Sequence, residues 1–497
     1  MTNATRFPAR FDRRTLLRGA LAMAAASSFP FDRSEAAEAL GARGEKVILS
    51  DGDIARLRKS IQGAVILPGS PEYESARKVW NPTIDNRPAL IARCTSVADI
   101  RATLEFARHH DVLTGVRCGG HGYSGYAVPE GGLVIDLSPF SGVEVDSSRR
   151  LAWVSGGALL GNLDRATVPL GLATTAGVVS HTGVGGLATV CGQGRLARRY
   201  GYTIDNIRAV EIVTPDGRLV RASSQEHPDL FWAIRGGGGN FGIVTKFGFQ
   251  LHEFDPNVTS FSYVWPFEKA RDALNLYFEL SDKVPNEMSL SGGFNTSEKG
   301  ETTVSISGTY LGAPEAAEHL LTALGSLGAP SRKRFDAINY VKLQSIADGT
   351  LLSPRAVYYR SGFFNRVDPR LSDTVVDYLS KSTFPGAAVR FSQQGGAPNL
   401  VAQSATAFPD RDALHQCTVD VEWIDPSEAA ANRKYADDTW DVIGPLSDGG
   451  YYLNWAINPS AAEVRRVFRG NYERLVQVKT KYDPTNFLHL NANIKPA

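Results

Sequence analysis

Four consecutive glycines, Gly236 to Gly239, stand between Leu230-Phe231-Trp232-Ala233-Ile234-Arg235 and Asn240-Phe241-Gly242-Ile243-Val244-Thr245. Glycine loses more conformational freedom on folding than any other residue. Such a string therefore persists where main chain must come close to something, commonly a ligand. A flexible-linker reading fails because Phe231, Trp232 and Phe241 are interleaved with the glycines and the flanks are patterned as strands. Two more segments share this character. One is Val116-Arg117-Cys118-Gly119-Gly120-His121-Gly122-Tyr123-Ser124-Gly125, between two predicted strands. The other is Gly183-Val184-Gly185-Gly186-Leu187-Ala188-Thr189-Val190-Cys191-Gly192-Gln193-Gly194, followed by Arg195 to Gly201. Successive N–H groups with little side-chain bulk form a nest suited to a diphosphate, and Arg117 adds positive charge beside the first nest. G-x-G-x-x-G does occur at Gly237 to Gly242. No strand–turn–helix unit surrounds it, so a dinucleotide fold of the strand–helix repeat type is not indicated.

The chain has 497 residues, which calls for two or more domains. A formal net charge of +1 provides no large field for nucleic acid or acidic polymers. Arg332-Lys333-Arg334 reads as a solvated surface run. The four cysteines, Cys94, Cys118, Cys191 and Cys417, form neither a disulfide framework nor a C-x-x-C pair. No H-x-x-x-H pair occurs, and no metal site is expected.

The N-terminus reads as an address. Arg13-Arg14-Thr15-Leu16-Leu17-Arg18 precedes a modestly apolar run, Gly19 to Phe29, too short to span a bilayer permanently. The pattern resembles a twin-arginine export signal, with cleavage after Ala39 and a periplasmic or secreted product expected.

Beyond it, Asp51 to Gln62 reads as a capped helix, and Ser96 opens another that runs to about His110, with Asp99 completing a capping box. Leu113–Arg117, Leu133–Leu137, Leu151–Val154, Ile204–Thr214 and Phe241–Phe249 read as strands. From about Phe254 the texture changes. Strand-like runs (Glu287–Tyr310, Ala388–Gln394, His415–Trp423) alternate with helical ones (Glu268–Val284, Ala313–Leu327, Pro369–Lys381, Ser427–Gly444). This is the pattern of an α+β domain with an antiparallel sheet covered by helices. One helix is expected at Ala461–Lys481, stopped by Pro484. Aromatic and asparagine residues then cluster in a fourth segment: Tyr451-Tyr452-Leu453-Asn454-Trp455, Tyr482 to Phe487, and Asn491-Ala492-Asn493-Ile494. Such side chains can hydrogen-bond a planar heterocycle.

Together, R-x-G-G-H, L-F-W-A-x-R-G-G-G-G-N-F-G and Y-x-N-W with a terminal N-x-N-I resemble the FAD-linked oxidases of the vanillyl-alcohol oxidase class. The resemblance is to the branch of berberine bridge enzyme and 6-hydroxynicotine oxidase, and it covers about residues 80–495. It implies a p-cresol-methylhydroxylase-type FAD domain of two lobes (40–255), a substrate domain whose sheet roofs the flavin (256–449) and a C-terminal segment completing the FAD domain (450–497). It implies one covalent bond from His121 to FAD. Arg117, Cys118, Gly119, Gly120, Gly122 and Ser124 would hold the diphosphate. Gly183, Gly186, the Asp205-Asn206 region, Asn240, Gly242, Ile243 and Val244 would line the adenosine and flavin, with Asn454 beside the heterocycle. Relatives often carry a second link through Cys in Ala-Gly-Val-Cys; here Ala176-Gly177-Val178-Val179 places Val179 there. Thr189-Val190-Cys191-Gly192 replaces a glycine run of the relatives, and Cys191 is expected to be a small buried hydrophobe. Thr182 stands near the position that tunes oxygen access.

The reaction expected from the resemblance is oxidation of an alcohol, hemiacetal or amine C–H of a small organic substrate. Dioxygen is the acceptor and hydrogen peroxide the product. A dehydrogenase passing electrons to a quinone or other acceptor, and a flavin-binding protein without turnover, are the alternatives. Tyr452 matches the base or hydrogen-bonding tyrosine of relatives, with Tyr451 the candidate one position away. An unperturbed tyrosine pKa of about 10 is high for a base, so a lowered value or a concerted transfer is required. Asp420 and Glu422 alternate on one strand and are expected to face solvent.

Overall fold

The computed structural model describes residues 36–351 and 355–497. The twin-arginine segment lies outside the described residues. The boundary at Ala39 falls inside a strand: β1 (Ala37–Leu40) pairs with β2 (Lys46–Leu49), and the Ala39 side chain is buried.

In the first lobe, the helix Asp51–Ser60 begins at a capping box in which Ser50 and Asp53 exchange hydrogen bonds. Four strands follow: β3 (Ala64–Ile66), β4 (Leu90–Arg93), β5 (Thr114–Arg117) and β6 (Leu133–Asp136), in the order β3-β4-β6-β5. β6 lies parallel to both β4 and β5, and β3 is antiparallel. The helix Val97–His109 covers this sheet, with Ser96 Oγ accepting from Asp99 N–H. The Asp99 carboxylate does not close the box. It accepts from the N–H groups of Gln62, Gly63 and Thr95, tying the helix start to the turn that leads into β3.

The second lobe holds β7 (Val143–Asp146), β8 (Leu151–Ser155), a short β9 (Leu172–Ala173), β10 (Ile207–Val213), β11 (Leu219–Ser223), β12 (Ile243–Gln250) and β13 (His252–Glu253). Its sheet runs β11-β10-β12-β8-β7 and is antiparallel throughout. The first glycine segment connects β5 to β6 of the first lobe; the second includes the helix Val184–Val190 between β9 and β10, and the third runs from the helix Pro228–Ile234 into β12.

The third body is one antiparallel sheet in the order β17-β14-β16-β15-β19-β20-β18. Its strands are β14 (Asn257–Pro266), β15 (Met288–Thr296), β16 (Thr302–Tyr310), β17 (Arg332–Asn339), β18 (Ala356–Phe364), β19 (Ala388–Gln393) and β20 (His415–Trp423). The helices Ala270–Lys283, Leu371–Leu379 and Ala429–Ile443 cover one face, packing Leu274, Tyr277, Val375 and Tyr435 against Ile306, Phe391, Cys417 and Val419. The other face turns toward the two lobes. Asp420 lies on that face; rather than meeting solvent it is buried and paired with Arg390. The charge is out of water because β20 is interior to the sheet and the guanidinium on β19 stands beside it. Glu422, at the end of the same strand, is half-buried with Arg355 4.0 Å away.

The C-terminal segment returns to the lobes. Val464, Phe468, Leu475, Val478 and Ile494 join the second lobe's core, and Phe487 and Leu488 join the first. The single helix expected over Ala461–Lys481 is two, Ala461–Phe468 and Tyr472–Tyr482. Arg469 takes φ 49° ahead of Gly470, which breaks the helical path. Fully buried Lys479 and Asp483 then pin the turn that follows. Lys479 Nζ donates to Asp483 and to the carbonyls of Asn240 and Leu488. Asp483 accepts from the N–H groups of Phe487 and Leu488. Among the described residues, no helix is long and apolar enough to cross a membrane.

Candidate active site

Between the lobes and the third sheet lies a cavity of about 900 Å³. Its floor is built largely from the three glycine segments. Gly119 and Gly183 touch backbone to backbone: a Cβ on Gly119 would sit 2.3 Å from the Gly183 nitrogen. The first and second segments are thereby locked together. Gly122, Gly186 and Gly239 also line the cavity, but a Cβ there would meet no atom within 4 Å. These three present bare main chain to the space itself. Gly120, at φ +68°, makes the turn that brings His121 to the wall.

His121 lines the cavity with its ring stacked on Trp80 (centroids 5.3 Å apart, planes 9° apart). Behind it stands His181. Nε2 of His121 and Nδ1 of His181 share a hydrogen bond of 2.7 Å. Burial, then the proximity of His181, pushes the His121 pKa down to about 3, so its ring is neutral at physiological pH. His181 does not line the cavity; its Nε2 is buried without a partner, and Asp348 is close enough to act on its charge. Two layers thus fix the His121 ring, and its second nitrogen is left for the cavity.

Also on the cavity wall, Tyr452 is buried, and its hydroxyl accepts from the Gln193 N–H (3.1 Å) and from Asn454 Nδ2 (2.8 Å). Burial holds its pKa well above the ordinary value of 10. Leu453, Asn454, Trp455, Asn491 and Ala492 line the same wall.

Two family models match the chain, one described as FAD binding domain over residues 88–223 and one as berberine and berberine like over residues 451–495. The first covers the first two glycine segments, and the second begins at Tyr451. An FAD-linked oxidoreductase of Dictyostelium discoideum is 29% identical over 443 residues, 88% of this chain and 96% of that protein. The (R)-6-hydroxynicotine oxidase of Paenarthrobacter nicotinovorans is 29% identical over 464 residues, 88% of this chain and 97% of that one. The solved structure of 6-hydroxy-D-nicotine oxidase from Arthrobacter nicotinovorans superposes with a TM-score of 0.81 at 27% identity, covering 88% of this chain and 99% of that one. The chain is similar to the berberine bridge enzyme-like FAD-linked oxidoreductases in both matched segments and over most of its length. Its two lobes and roof sheet are the p-cresol-methylhydroxylase-type fold of that family.

The floor fits FAD: the glycine nest supplies unencumbered N–H donors, and side chains at Gly122, Gly186 or Gly239 would project into the space the cofactor needs. Of the residues expected around this flavin, Cys118, Gly119, Gly120, His121, Gly122, Ser124, Gly183, Gly186, Gly242, Ile243, Val244, Tyr452 and Asn454 line the cavity together. The Cys118 thiol is pushed up to about 11 by burial. Ser124 Oγ donates to the Ala456 carbonyl and accepts from the Asn458 N–H, joining the first glycine loop to the C-terminal segment.

The other expected residues stand elsewhere. The Arg117 guanidinium is turned back onto the Ala76 carbonyl, away from the cavity, because the strand ending at Arg117 points that side chain to the sheet's far face. Asn240 is buried beneath the loop: its Nδ2 donates to the carbonyls of Gly237 and Ala492, and its Oδ1 accepts from Ile494 N–H. It binds the terminal Asn-x-Asn-Ile to the third glycine segment and does not touch the cavity. Asp205 and Asn206 are structural too. Asp205 takes a two-pronged pair of hydrogen bonds from Arg411 (2.8 Å each), and Asn206 Nδ2 caps the carbonyls of Tyr200 and Tyr202. Tyr451 points away from the cavity into a small separate hollow with Ser361, Trp440 and Arg466, since adjacent side chains of an extended segment face opposite ways. Burial raises its pKa to about 12.

Cys191 is fully buried in the second lobe's core, off the cavity wall, while Val179 and Thr182 line it. His181 went unread in the sequence. It lies 60 residues from His121 in a loop without periodicity, and only the contact of the two glycine segments brings the rings together.

Proposed function

We propose that the enzyme carries FAD bonded covalently to His121 and oxidises an alcohol, hemiacetal or amine C–H, with dioxygen as electron acceptor and hydrogen peroxide as product. The observation that carries this reading is that one cavity is lined both by a neutral, doubly anchored imidazole and by a buried, twice hydrogen-bonded tyrosine. Bound FAD supplies the hydride acceptor. The chain's own groups have the remaining tasks. The glycine floor positions the cofactor by main chain alone. Trp80 and His181 hold the His121 ring and engage its Nε2, leaving Nδ1 to meet the cofactor. Tyr452 stays protonated through neutral pH because burial opposes the phenolate. Its two lone pairs are occupied by Gln193 N–H and Asn454, so its own proton is free for the substrate oxygen or nitrogen. It acts as a hydrogen-bond donor that gains strength as charge develops, and any proton it takes up must pass in a concerted step.

Tyr452→Phe tests this. Turnover falls by about 10²-fold or more while bound flavin is retained; a variant with unchanged kcat contradicts the assignment. The wild-type kcat/KM profile carries no inflection from Tyr452 below about pH 10. The competing acceptor is a quinone or other soluble oxidant. Thr182 fills part of the wall beside Val179 and Gly183, and peroxide release measured with and without a dye acceptor separates the two. We also propose twin-arginine export for the full chain. Exchanging the arginine pair for lysines, Arg13→Lys together with Arg14→Lys, is expected to retain the protein in the cytoplasm.

A further inference from the structure

The roof of the cavity is chemically unusual for the interior of a sheet. Strand register joins Arg334 to Ser262, Ser262 to Ser307, Ser307 to Ser291, Ser291 to Ser392, and Ser392 to Gln416. Directly paired residues share a face, and all six line the cavity. They form one row across β17-β14-β16-β15-β19-β20. At a strand spacing of about 4.8 Å this row is about 24 Å long. A second row beside it pairs Ser260 with Thr309 and Thr309 with Ser289. Strands favour branched and aromatic side chains, and the opposite face of these same strands has them. The hydroxyls therefore serve something other than the sheet.

That something is a ligand, because the row is unsatisfied. Among the described residues, no protein group bonds the hydroxyls of Ser262, Ser291, Ser307 or Ser392, and Ser260 receives only Arg334 Nη2 at 3.1 Å. Gln416 is 1% exposed, yet neither its amide oxygen nor its amide nitrogen has a partner. A buried amide in a native structure finds partners, in this case from whatever fills the cavity. At the same end, Tyr359 and Trp455 line the cavity as a stacked pair, centroids 6.1 Å apart.

Charge narrows the class. Among the described residues, the cavity lining contains no Asp or Glu, but it contains Arg195, Arg198 and Arg334. Arg198 is occupied by the carbonyls of Gln394 and Val284. Arg195 gives its Nε to Gln344 and faces no carboxylate. Arg334 is near enough to Arg195 for their charges to repel. Arg334 stands on β17 of the roof, and Arg195, at the end of the second glycine segment, reaches across to Gln344 of the helix Tyr340–Gln344, so the two flank the cavity where floor and roof meet. Arg334 has Asp336 3.8 Å away at the exposed edge of the sheet, whereas Arg195 has no carboxylate partner among the described residues. A cationic amine would therefore meet one half-offset and one uncompensated like charge. A flat apolar substrate would leave the row and the Gln416 amide dry and unpaired.

We propose that the substrate is a carboxylate-bearing polyol of the acidic-oligosaccharide class, laid across the roof strands with its hydroxyls on the serine row and its carboxylate at Arg195 and Arg334. This rests on the flavoenzyme reading above. The test uses the purified holoenzyme without oxygen, following bleaching of the flavin absorbance. The probes are trigalacturonate, cellotriose, maltotriose and 6-hydroxynicotine. Trigalacturonate is expected to bleach the flavin with kcat/KM about tenfold or more above the neutral trisaccharides, and Arg334→Gln to remove that advantage at unchanged flavin content. Ser291→Val with Ser307→Val is expected to weaken saccharide binding by about 25-fold, read as KM rather than kcat. A neutral trisaccharide preferred over the acidic one overturns the proposal, as does an acidic preference that survives Arg334→Gln. Bleaching by 6-hydroxynicotine alone, or by none of the probes although flavin is bound, overturns it and leaves the flavoenzyme reading standing. A protein without flavin removes the reading itself.

Discussion

On the floor of the cavity Gly122, Gly186 and Gly239 turn bare main chain inward; on the roof Ser262, Ser291, Ser307 and Ser392 turn hydroxyls into the same space. The floor's geometry leaves no room for change, because Gly119 and Gly183 already touch backbone to backbone. The roof's side chains stand on a sheet whose hydrogen bonds do not depend on them. The cradle that fits FAD is thus built on a close backbone-to-backbone contact. Substrate recognition is assigned to side chains that can be exchanged without altering the scaffold.

That contrast can be attacked from both sides. The largest effect belongs to Gly119→Val. With a Cβ 2.3 Å from the Gly183 nitrogen, the two glycine segments must separate, and the protein is expected to purify without flavin and with stability lower by about 1–3 kcal/mol. The flavin-to-protein absorbance ratio and the thermal midpoint check this. A yellow Gly119→Val protein would show that the floor is more pliant than its contacts imply.

A smaller effect is expected where floor and roof are joined. Gln344 accepts from Arg195 and donates to the Gly177 carbonyl, with the Asp164 carboxylate behind it. Burial raises the Asp164 pKa to about 7. The folded protein therefore binds a proton there that the unfolded chain, near 3.8, has released. Stability from this site is present at low pH and is lost as pH rises through the interval between 3.8 and about 7. Asp164→Asn removes the titration. It should stabilise the protein at pH 8.5 by on the order of 2 kcal/mol relative to its effect at pH 4, and thermal melts at the two pH values read the difference. Equal effects at both would place the carboxyl in a wetter setting than its burial indicates.

The smallest effect is Ser307→Ala. One hydroxyl in a row is worth about 1 kcal/mol, so KM should rise by roughly fivefold with flavin content, melting temperature and kcat nearly unchanged. A loss of flavin on this substitution would dissolve the distinction between floor and roof.

The same contrast explains what could be read from the chain. The floor was legible because its glycines are contiguous and alternate with Phe231, Trp232 and Phe241. The motif around Tyr452 was legible as well, but not which of two adjacent tyrosines enters the cavity, since that depends on the alternation of an extended segment. The roof was not legible. Ser262, Ser291, Ser307 and Ser392 are scattered over about 130 residues and meet only through strand register. β14, β17 and β18 escaped notice as strands. β17 carries Arg332-Lys333-Arg334, which read as a solvated run; it is an edge strand whose Arg334 nonetheless reaches the cavity. Arg117 and Asn240 sit inside correctly located loops, and only their hydrogen bonds reveal that they hold the loops and not the ligand.

The central claim is that FAD is bonded to His121, and intact-mass spectrometry of the denatured protein tests it most directly, run on wild type and His121→Ala. The account predicts a wild-type chain heavier than its sequence by one FAD, and a variant at the bare mass of its sequence. A wild-type chain at the bare mass, with flavin recovered in the filtrate, would contradict it.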